Sequence, residues 1–301
     1  MANFIDLKDL SKDQLLDLIS LSLKWKNEPH PKFMQDKHVV LIFEKPSLRT
    51  RVSFEIGINQ LGGSSHILNE KEMQLGERET IEDTARVLER YADLVVIRCF
   101  GHNQIIKYAK TSSIPVINAL TDFSHPCQVL ADLVTIKEKI GEFENKKIAW
   151  FGDCNNVLQS WIEASALLNI QLYIACPEGI LPNKDTLYWA KNINKNIIVT
   201  HDPKQAALGA DCLITDTWNS MGDSKEIPEK LFKPFQVNND ILKLANENVM
   251  FMHCLPAYRN KEVTSEVIES QNSVVFDEAE NRLHAQKAIM KFCLTKYSNE
   301  V

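Results

Sequence analysis

Short runs of aliphatic and β-branched residues recur along the first half of the chain, at 38–44, 63–68, 93–100 and 115–120. Between them lie stretches whose apolar residues return every three or four positions, at 50–61, 80–92, 103–111 and 125–140. Apolar runs bounded by polar residues predict buried strands, and the longer spacing predicts amphipathic helices. The second half carries further strand-like runs at 147–152, 171–176, 196–200, 211–216 and 249–254. Alternation of the two element types predicts an α/β protein of two tandem open parallel-sheet domains, with ligands gathered beyond the carboxyl ends of the strands. The polar stretch 141–147 marks the expected boundary, giving domains over 1–140 and 141–282 and a C-terminal segment over 283–301. A long helix is predicted over 279–297. Its expected packing partner is the amphipathic stretch 11–25, so that the last helix returns to the first domain.

With 301 residues, 44% hydrophobic and 25% charged, the chain has the composition of a globular protein with room for two cores. A formal charge of −6 argues against a surface that coats nucleic acid. No apolar run approaches the ~18 residues of a membrane span, and the N-terminus lacks a basic region followed by an apolar one. The seven cysteines, at 99, 127, 154, 176, 212, 254 and 293, show no paired spacing. Dispersed thiols of this kind fit a reducing cytoplasm.

Against the acidic background, Ser47-Leu48-Arg49-Thr50-Arg51 stands out. It follows the first strand and opens a predicted helix, so helix-start N–H groups, hydroxyls and guanidinium groups converge, as a phosphate site requires. Taken alone, the run reads more simply as a capped helix with solvated arginines. Arg98 ends the third strand, and His125 and Gln128 open the helix after the fourth; singly, each has an ordinary structural reading. Together these residues come from three strand-to-helix junctions of one sheet, and they suit a phosphorylated substrate with a polarisable carbonyl.

In the second half, Gly-Asp-Cys-Asn-Asn at 152–156 stands where a dinucleotide-binding fold carries its glycine fingerprint. Cys154 and Asn155 take positions that need small residues there, so no nicotinamide or flavin cofactor is expected. The paired asparagines suit a carboxylate or an amino-acid head group, and equally suit N-capping. Asp216, at a strand's carboxyl end, suits an ammonium group, although its loop to Gly222 also reads as a simple turn. Cys254 beside His253 has no second pair at ligand spacing, so no metal is expected. Arg282 adds one more cation near the expected domain junction.

Seven ordered motifs resemble the aspartate/ornithine carbamoyltransferase family, and its ornithine-using members most nearly. They are Phe-Glu-Lys-Pro-Ser-Leu-Arg-Thr-Arg at 43–51, Gln-Leu-Gly at 74–76, His-Pro-Cys-Gln at 125–128 and Gly-Asp-Cys-Asn-Asn at 152–156. Asp-Thr-Trp-Asn-Ser-Met-Gly at 216–222, His-Cys-Leu-Pro at 253–256 and Glu-Ala-Glu-Asn-Arg at 278–282 complete the set. The resemblance implies a carbamoyl-phosphate domain followed by a Rossmann-like ornithine domain. The implied reaction is carbamoyl transfer from carbamoyl phosphate to the side-chain amine of L-ornithine, giving citrulline and phosphate without metal or organic cofactor. It also implies that Ser47, Leu48, Arg49, Thr50 and Arg282 hold the phosphate end, and that Arg98, His125 and Gln128 bind the carbamoyl end. Asn156, Asp216, Ser220 and Met221 would hold the amino-acid head, with Cys254 and Leu255 beside the attacking amine. Asp216 and Cys254 are the implied proton-handling pair. The family's homotrimer would bring Gln74 into a neighbouring subunit's site.

Departures from the family pattern are Leu48 where a threonine is usual, Cys154 where glycine is common, and Tyr258 and Asn260 where His and Gly often follow. A related enzyme using aspartate, putrescine or N-acetylornithine is the same-class rival. A binding protein that has lost catalysis, with Leu48 as its sole support, is the rival of another class.

Overall fold

The computed structural model describes residues 2–29, 31–45, 47–69, 76, 79–219 and 227–295. The chain separates into two compact units, one formed by Met1–Val134 with Glu280–Val301 and the other by Thr135–Ala279. Both are α/β units built on parallel sheets.

The first unit holds strands β1 (His38–Phe43), β2 (Ser64–Asn69), β3 (Leu94–Arg98) and β4 (Val116–Leu120), in the order β2-β1-β3-β4 and all parallel. Its central strands β1 and β3 are buried along almost their whole length, as strands covered on both faces must be; hence their unbroken apolar runs. β2 is an edge strand with Ser64, Ser65 and His66, and it is only partly covered. Helices α1 (Lys12–Asn27), α2 (Leu48–Gln60), α3 (Ile81–Leu88), α4 (His102–Thr111) and α5 (Pro126–Ile140) punctuate the sequence. α1 begins with a capping box, in which Ser11 accepts from the Gln14 N–H and the Gln14 side chain from the Ser11 N–H. α3 stops short of the predicted 92. The Asp93 N–H bonds to the His38 carbonyl (2.8 Å) and its carboxylate accepts from the His38 N–H (2.9 Å), which draws the chain out of the helix and into the sheet.

The second unit holds β5 (Lys147–Phe151), β6 (Gln171–Ala175), β7 (Ile197–Thr200), β8 (Cys212–Thr215) and β9 (Met250–His253), parallel in the order β7-β6-β5-β8-β9. Its helices are α6 (Asn156–Leu168), α7 (Lys184–Ile193), α8 (Pro203–Ala207), α9 (Glu229–Phe232), α10 (Asn239–Leu242), α11 (Ser265–Ile268) and the start of α12 (Val275–Leu294). Phe151, Leu213, Phe251, Val263 and Val267 belong to a buried apolar cluster of this unit. In each sheet the chain reverses its direction of strand addition once, between β1 and β3 and between β5 and β8. Ligand-binding crevices of open α/β sheets lie at the carboxyl side of such points.

α12 corrects the predicted start at 279. It begins at Val275, with Asp277 and Glu278 in its first turn where carboxylates oppose the helix dipole. From Glu280 onward α12 belongs to the first unit. There Lys26 of α1 donates to Asn281 (3.0 Å), and Gly57 lets α2 come close: a Cβ at that position would lie 3.4 Å from Leu283, Lys287 and Met290.

Candidate active site

In the first unit, β1 delivers the chain to α2 and β3 delivers it to Arg98; Phe43 and Arg98 are register partners at the two strand ends. Ser47 caps α2, its hydroxyl accepting from the Thr50 N–H (3.3 Å). The opening N–H groups of a helix point along its axis and carry the positive end of its dipole. Leu48 is the first residue of α2 and its side chain is 74% exposed, so its backbone is what it can offer an anion. The two arginines of the run part company here. Arg51 pairs on the surface with Glu55 four residues on (3.2 Å), whereas Arg49 is half-buried.

Arg282 is buried and ties three segments together. Its Nη2 donates to the Thr50 hydroxyl (3.1 Å) and its Nη1 to the Gln128 side-chain carbonyl (2.5 Å). The Gln128 amide donates in turn to Asp132 (2.8 Å), which fixes which end of the amide faces the arginine. His125, buried at the head of α5, has its pKa held well below the ordinary imidazole range, first by burial and then by the charges of Arg282 and Arg98. It is therefore a neutral imidazole at neutral pH, able to donate one N–H without carrying charge.

The loop before His125 is fixed from behind. Ser124 donates to the buried Asp6 (2.5 Å), the His102 imidazole lies 3.2 Å from the same carboxylate, and Asn118 donates to the Ser124 hydroxyl (2.9 Å). Glu44 accepts from the Phe100 N–H (3.1 Å) while its own N–H bonds to the Arg98 carbonyl (2.9 Å), which locks the turn that carries Arg98.

The second unit gathers a different set at its β5/β8 switch point. Asn155 caps α6, its carbonyl accepting from the Val157 and Leu158 N–H groups (3.0 and 3.2 Å), and its amide donates to Asp216 Oδ2 (2.7 Å). Asp216 Oδ1 accepts from the Thr217 N–H (2.7 Å) and from the Cys254 thiol (3.1 Å). Gly152 is required where it stands: its φ is +109°, and a Cβ there would lie 3.2 Å from the Trp218 ring. Leu255 has a φ of +54°, a left-handed conformation unusual for a branched residue, and its N–H donates to His253 Nδ1 (2.9 Å). Because Nδ1 accepts, the ring proton of His253 is on Nε2, where it faces Glu262 (3.1 Å). Asp216, His253 and Cys254 could be mistaken for a metal centre, since their ligand atoms lie within 4.8 Å of one another. Both ring nitrogens of His253 are already committed, so that imidazole has no lone pair for a cation.

Thr50, Arg98, His125, Gln128 and Arg282 thus cluster in the first unit, and Asp216, Cys254 and Leu255 in the second. Gln74, Ser220 and Met221 lie outside the described residues. Asn156 is the first residue of α6, and the asparagine that reaches Asp216 is its neighbour Asn155, which also caps the helix. Its cue was the Asn-Asn pair itself. Glu44 sits in the 43–51 motif and Asp132 one helical turn after Gln128, yet neither is singled out by sequence alone; the Glu44–Phe100, Glu262–His253 and Asp6–Ser124 contacts join segments that no local spacing links.

The profile described as aspartate/ornithine carbamoyltransferase, carbamoyl-P binding domain, matches residues 2–138, and that described as the Asp/Orn binding domain of the same family matches 144–293. The ornithine carbamoyltransferase of Rhodopseudomonas palustris strain BisA53 is 48% identical, the alignment covering 97% of this chain and 96% of that protein. That of Methanocaldococcus jannaschii is 47% identical, covering 96% of this chain and 98% of the other. The solved ornithine carbamoyltransferase of Pyrococcus furiosus superposes with a TM-score of 0.93 at 43% identity, covering 97% of each chain. An arginine bridging a helix-start hydroxyl and an amide, a neutral buried histidine and a carboxylate–thiol pair are thus arranged on a backbone shared end to end with these proteins: the chain belongs to the aspartate/ornithine carbamoyltransferase family.

Proposed function

We infer that this chain transfers the carbamoyl group of carbamoyl phosphate to the side-chain amine of L-ornithine, giving L-citrulline and phosphate, a step of arginine metabolism. The observation that carries this reading is the Arg282–Thr50–Gln128 linkage beside a neutral His125; Thr50, His125 and Gln128 lie in the stretch that matches a carbamoyl-P binding domain, and Arg282 reaches them from the stretch that matches the Asp/Orn binding domain.

In this reading Ser47, Leu48, Arg49 and Thr50, with Arg282, hold the phosphate through helix-start N–H groups, hydroxyls and guanidinium charge. Arg98 and the His125 N–H point donors at the carbonyl oxygen, with Gln128 on the carbamoyl amide. The ornithine side-chain nitrogen attacks the carbonyl carbon, negative charge collects on that oxygen, and the bond to the phosphate oxygen breaks as phosphate leaves. Donors fixed before reaction stabilise this charge more than the neutral ground state, which is the source of rate enhancement. Asn156, Asp216, Ser220 and Met221 orient the amino-acid head. Asp216 and Cys254 handle the proton that a side-chain amine of pKa about 10 must lose before or during attack, with Leu255 beside them. No metal or organic cofactor is assigned a role.

We further assign the chain to a homotrimer in which Gln74 serves a neighbouring subunit's site, and to the cytoplasm. The dispersed free cysteines support the latter, and among the described residues no helix is long and apolar enough to cross a membrane. The test is a product assay with carbamoyl phosphate and, side by side, ornithine, putrescine, N-acetylornithine and aspartate. Ornithine is expected to be the best acceptor by kcat/KM; a better rate with another amine overturns the assignment, and binding without any carbamoylated product favours a protein that has lost catalysis.

A further inference from the structure

Behind the loop that leads to His125 stands a second imidazole, that of His102, the first residue of α4. Its Nδ1 lies 2.9 Å from the Thr121 hydroxyl, its Nε2 lies 3.2 Å from Asp6 Oδ2, and its ring is tilted against that of Phe123 with the centroids 4.8 Å apart. The protons of this cluster can be placed one by one. The Thr121 hydroxyl oxygen accepts from the Phe123 N–H (3.3 Å) and the Ser124 N–H (3.2 Å), which occupies both of its lone pairs. Its own hydrogen therefore goes to His102 Nδ1, and the imidazole proton sits on Nε2, facing a carboxylate that can only accept. The same turn is closed again by the Thr121 N–H on the Ser124 carbonyl (2.9 Å). Asp6 reaches this point on the N-terminal segment, which runs along the edge of β4: the Phe4 N–H bonds to the Val116 carbonyl (2.9 Å) and the Asn118 N–H to the Phe4 carbonyl (2.8 Å).

We propose that His102 is a positioning residue for carbamoyl transfer: as the acceptor for the Thr121 hydroxyl it fixes the 121–124 turn, and the turn aims the His125 imidazole. Ser124, the residue before His125, is held through its N–H, its carbonyl and its hydroxyl, and the His125 carbonyl accepts from the Gln128 N–H (3.1 Å). The backbone of His125 is thus pinned on both sides, and Pro126 narrows it further, because a residue before proline is biased toward extended conformations. Without the imidazole, the Thr121 hydrogen has to turn toward another acceptor. The lone pairs turn with it, away from the Phe123 and Ser124 N–H groups, and the turn loosens. A donor that shifts off the developing charge loses rate steeply, by up to ~100-fold for about 1 Å. That the loosened turn matters for rate rests on the function proposed above, in which His125 donates to the carbonyl oxygen.

The test compares the full-length wild type with His102→Phe, His102→Asn and His102→Gln, reading deuterium uptake at Phe123 and Ser124, the urea midpoint and steady-state kinetics. Phenylalanine keeps a ring against Phe123 but accepts nothing. The asparagine carbonyl takes the place of Nδ1, whereas the glutamine amide reaches toward Asp6 in the place of Nε2. For His102→Phe we expect several-fold faster exchange at both amides and about tenfold lower kcat, with KM for ornithine unchanged. His102→Asn should recover most of both losses and His102→Gln should not. A purely structural role would lower the urea midpoint in all three and leave kcat per folded molecule at the wild-type level, and that result overturns the proposal. Recovery by glutamine rather than asparagine overturns the route through Thr121, and wild-type exchange at both amides in His102→Phe overturns the hold on the turn. Should His102→Phe fail to fold, the contrast between asparagine and glutamine decides in its place. If the wild type makes no citrulline, the functional reading falls, while amide exchange across the three variants still decides whether His102 holds the turn.

Discussion

Arg282 joins side chains far apart in sequence because a guanidinium carries several N–H donors in one plane, and here two of its nitrogens are spent on Thr50 and Gln128. A lysine supplies charge from a single point and cannot make that fork. For Arg282→Lys we expect KM for carbamoyl phosphate to rise about tenfold, the equivalent of ~1.4 kcal/mol, with a much smaller change in KM for ornithine. Steady-state kinetics with each substrate varied in turn checks this, and an equal rise in both would show a general distortion instead. Beside it, His125 makes a pH prediction. Its folded pKa is well below 6.5, chiefly through burial, and that of His284 is lowered to about 4, again chiefly through burial. An unfolded chain takes up these protons near pH 6.5, and the folded chain resists them, so the stability they contribute is complete above that pH and drains away as pH falls toward the folded values. Urea midpoints are expected to fall between about pH 6.5 and pH 5, and His284→Gln should lose less over that interval than the wild type. A midpoint flat with pH in the wild type would contradict the burial of these imidazoles as neutral groups.

Two glycines on different elements ask for opposite outcomes. Gly57 has an ordinary helical backbone, and a methyl group there would meet α12 at normal contact distance. Gly57→Ala should therefore stabilise the protein by about 0.5–1 kcal/mol, through helix propensity and a more restricted unfolded chain, in a urea titration. Gly152→Ala should lose stability and ornithine affinity together, because its φ of +109° and the Trp218 ring both oppose a side chain. The element scale is also where the sequence was most readable. Strands β1, β3, β5 and β8 are covered on both faces, so each shows as an unbroken apolar run and its ends fall within two residues of the prediction. Where the reading slipped, a polar residue had a partner that local pattern does not reveal. Asp93 binds His38 and ends α3 early, and Asp277 and Glu278, ahead of the predicted helix start at 279, form the first turn of α12. Residues of the candidate site were legible to the extent that they sit in motifs beyond strand ends, as Arg98, His125 and Asp216 do. The side chains that orient them, such as Asn155 on Asp216 and Asp6 behind Ser124, are chosen by how strands and loops approach one another in space, and no spacing in the chain encodes that.

The first unit is discontinuous in sequence: its last piece, from Glu280, returns only after the whole second unit has been traversed, and it carries Arg282. A site assembled from such distant segments has no single stretch of chain that could bind its ligand alone. Our proposal extends the same logic across subunits, since Gln74 is assigned to a neighbour's site. If each site takes Arg49 from one chain and Gln74 from the next, two inactive variants can repair one another. In a ring of three, any mixture of Gln74→Ala and Arg49→Ala chains contains one interface where an Arg49-bearing chain meets a Gln74-bearing neighbour in the right order, so one site in that trimer is intact. Equal random mixing puts about three quarters of trimers in mixed rings, so about a quarter of wild-type activity should return, from parents that are each nearly inactive. The measurement is citrulline formation after the two purified variants are dissociated together and reassembled, with each variant taken through the same cycle alone. Recovery near that level requires both a closed ring and a shared site. No recovery from correctly sized trimers would place Gln74 outside the neighbour's site, and a monomer that turns over ornithine at the full rate would remove the need for either.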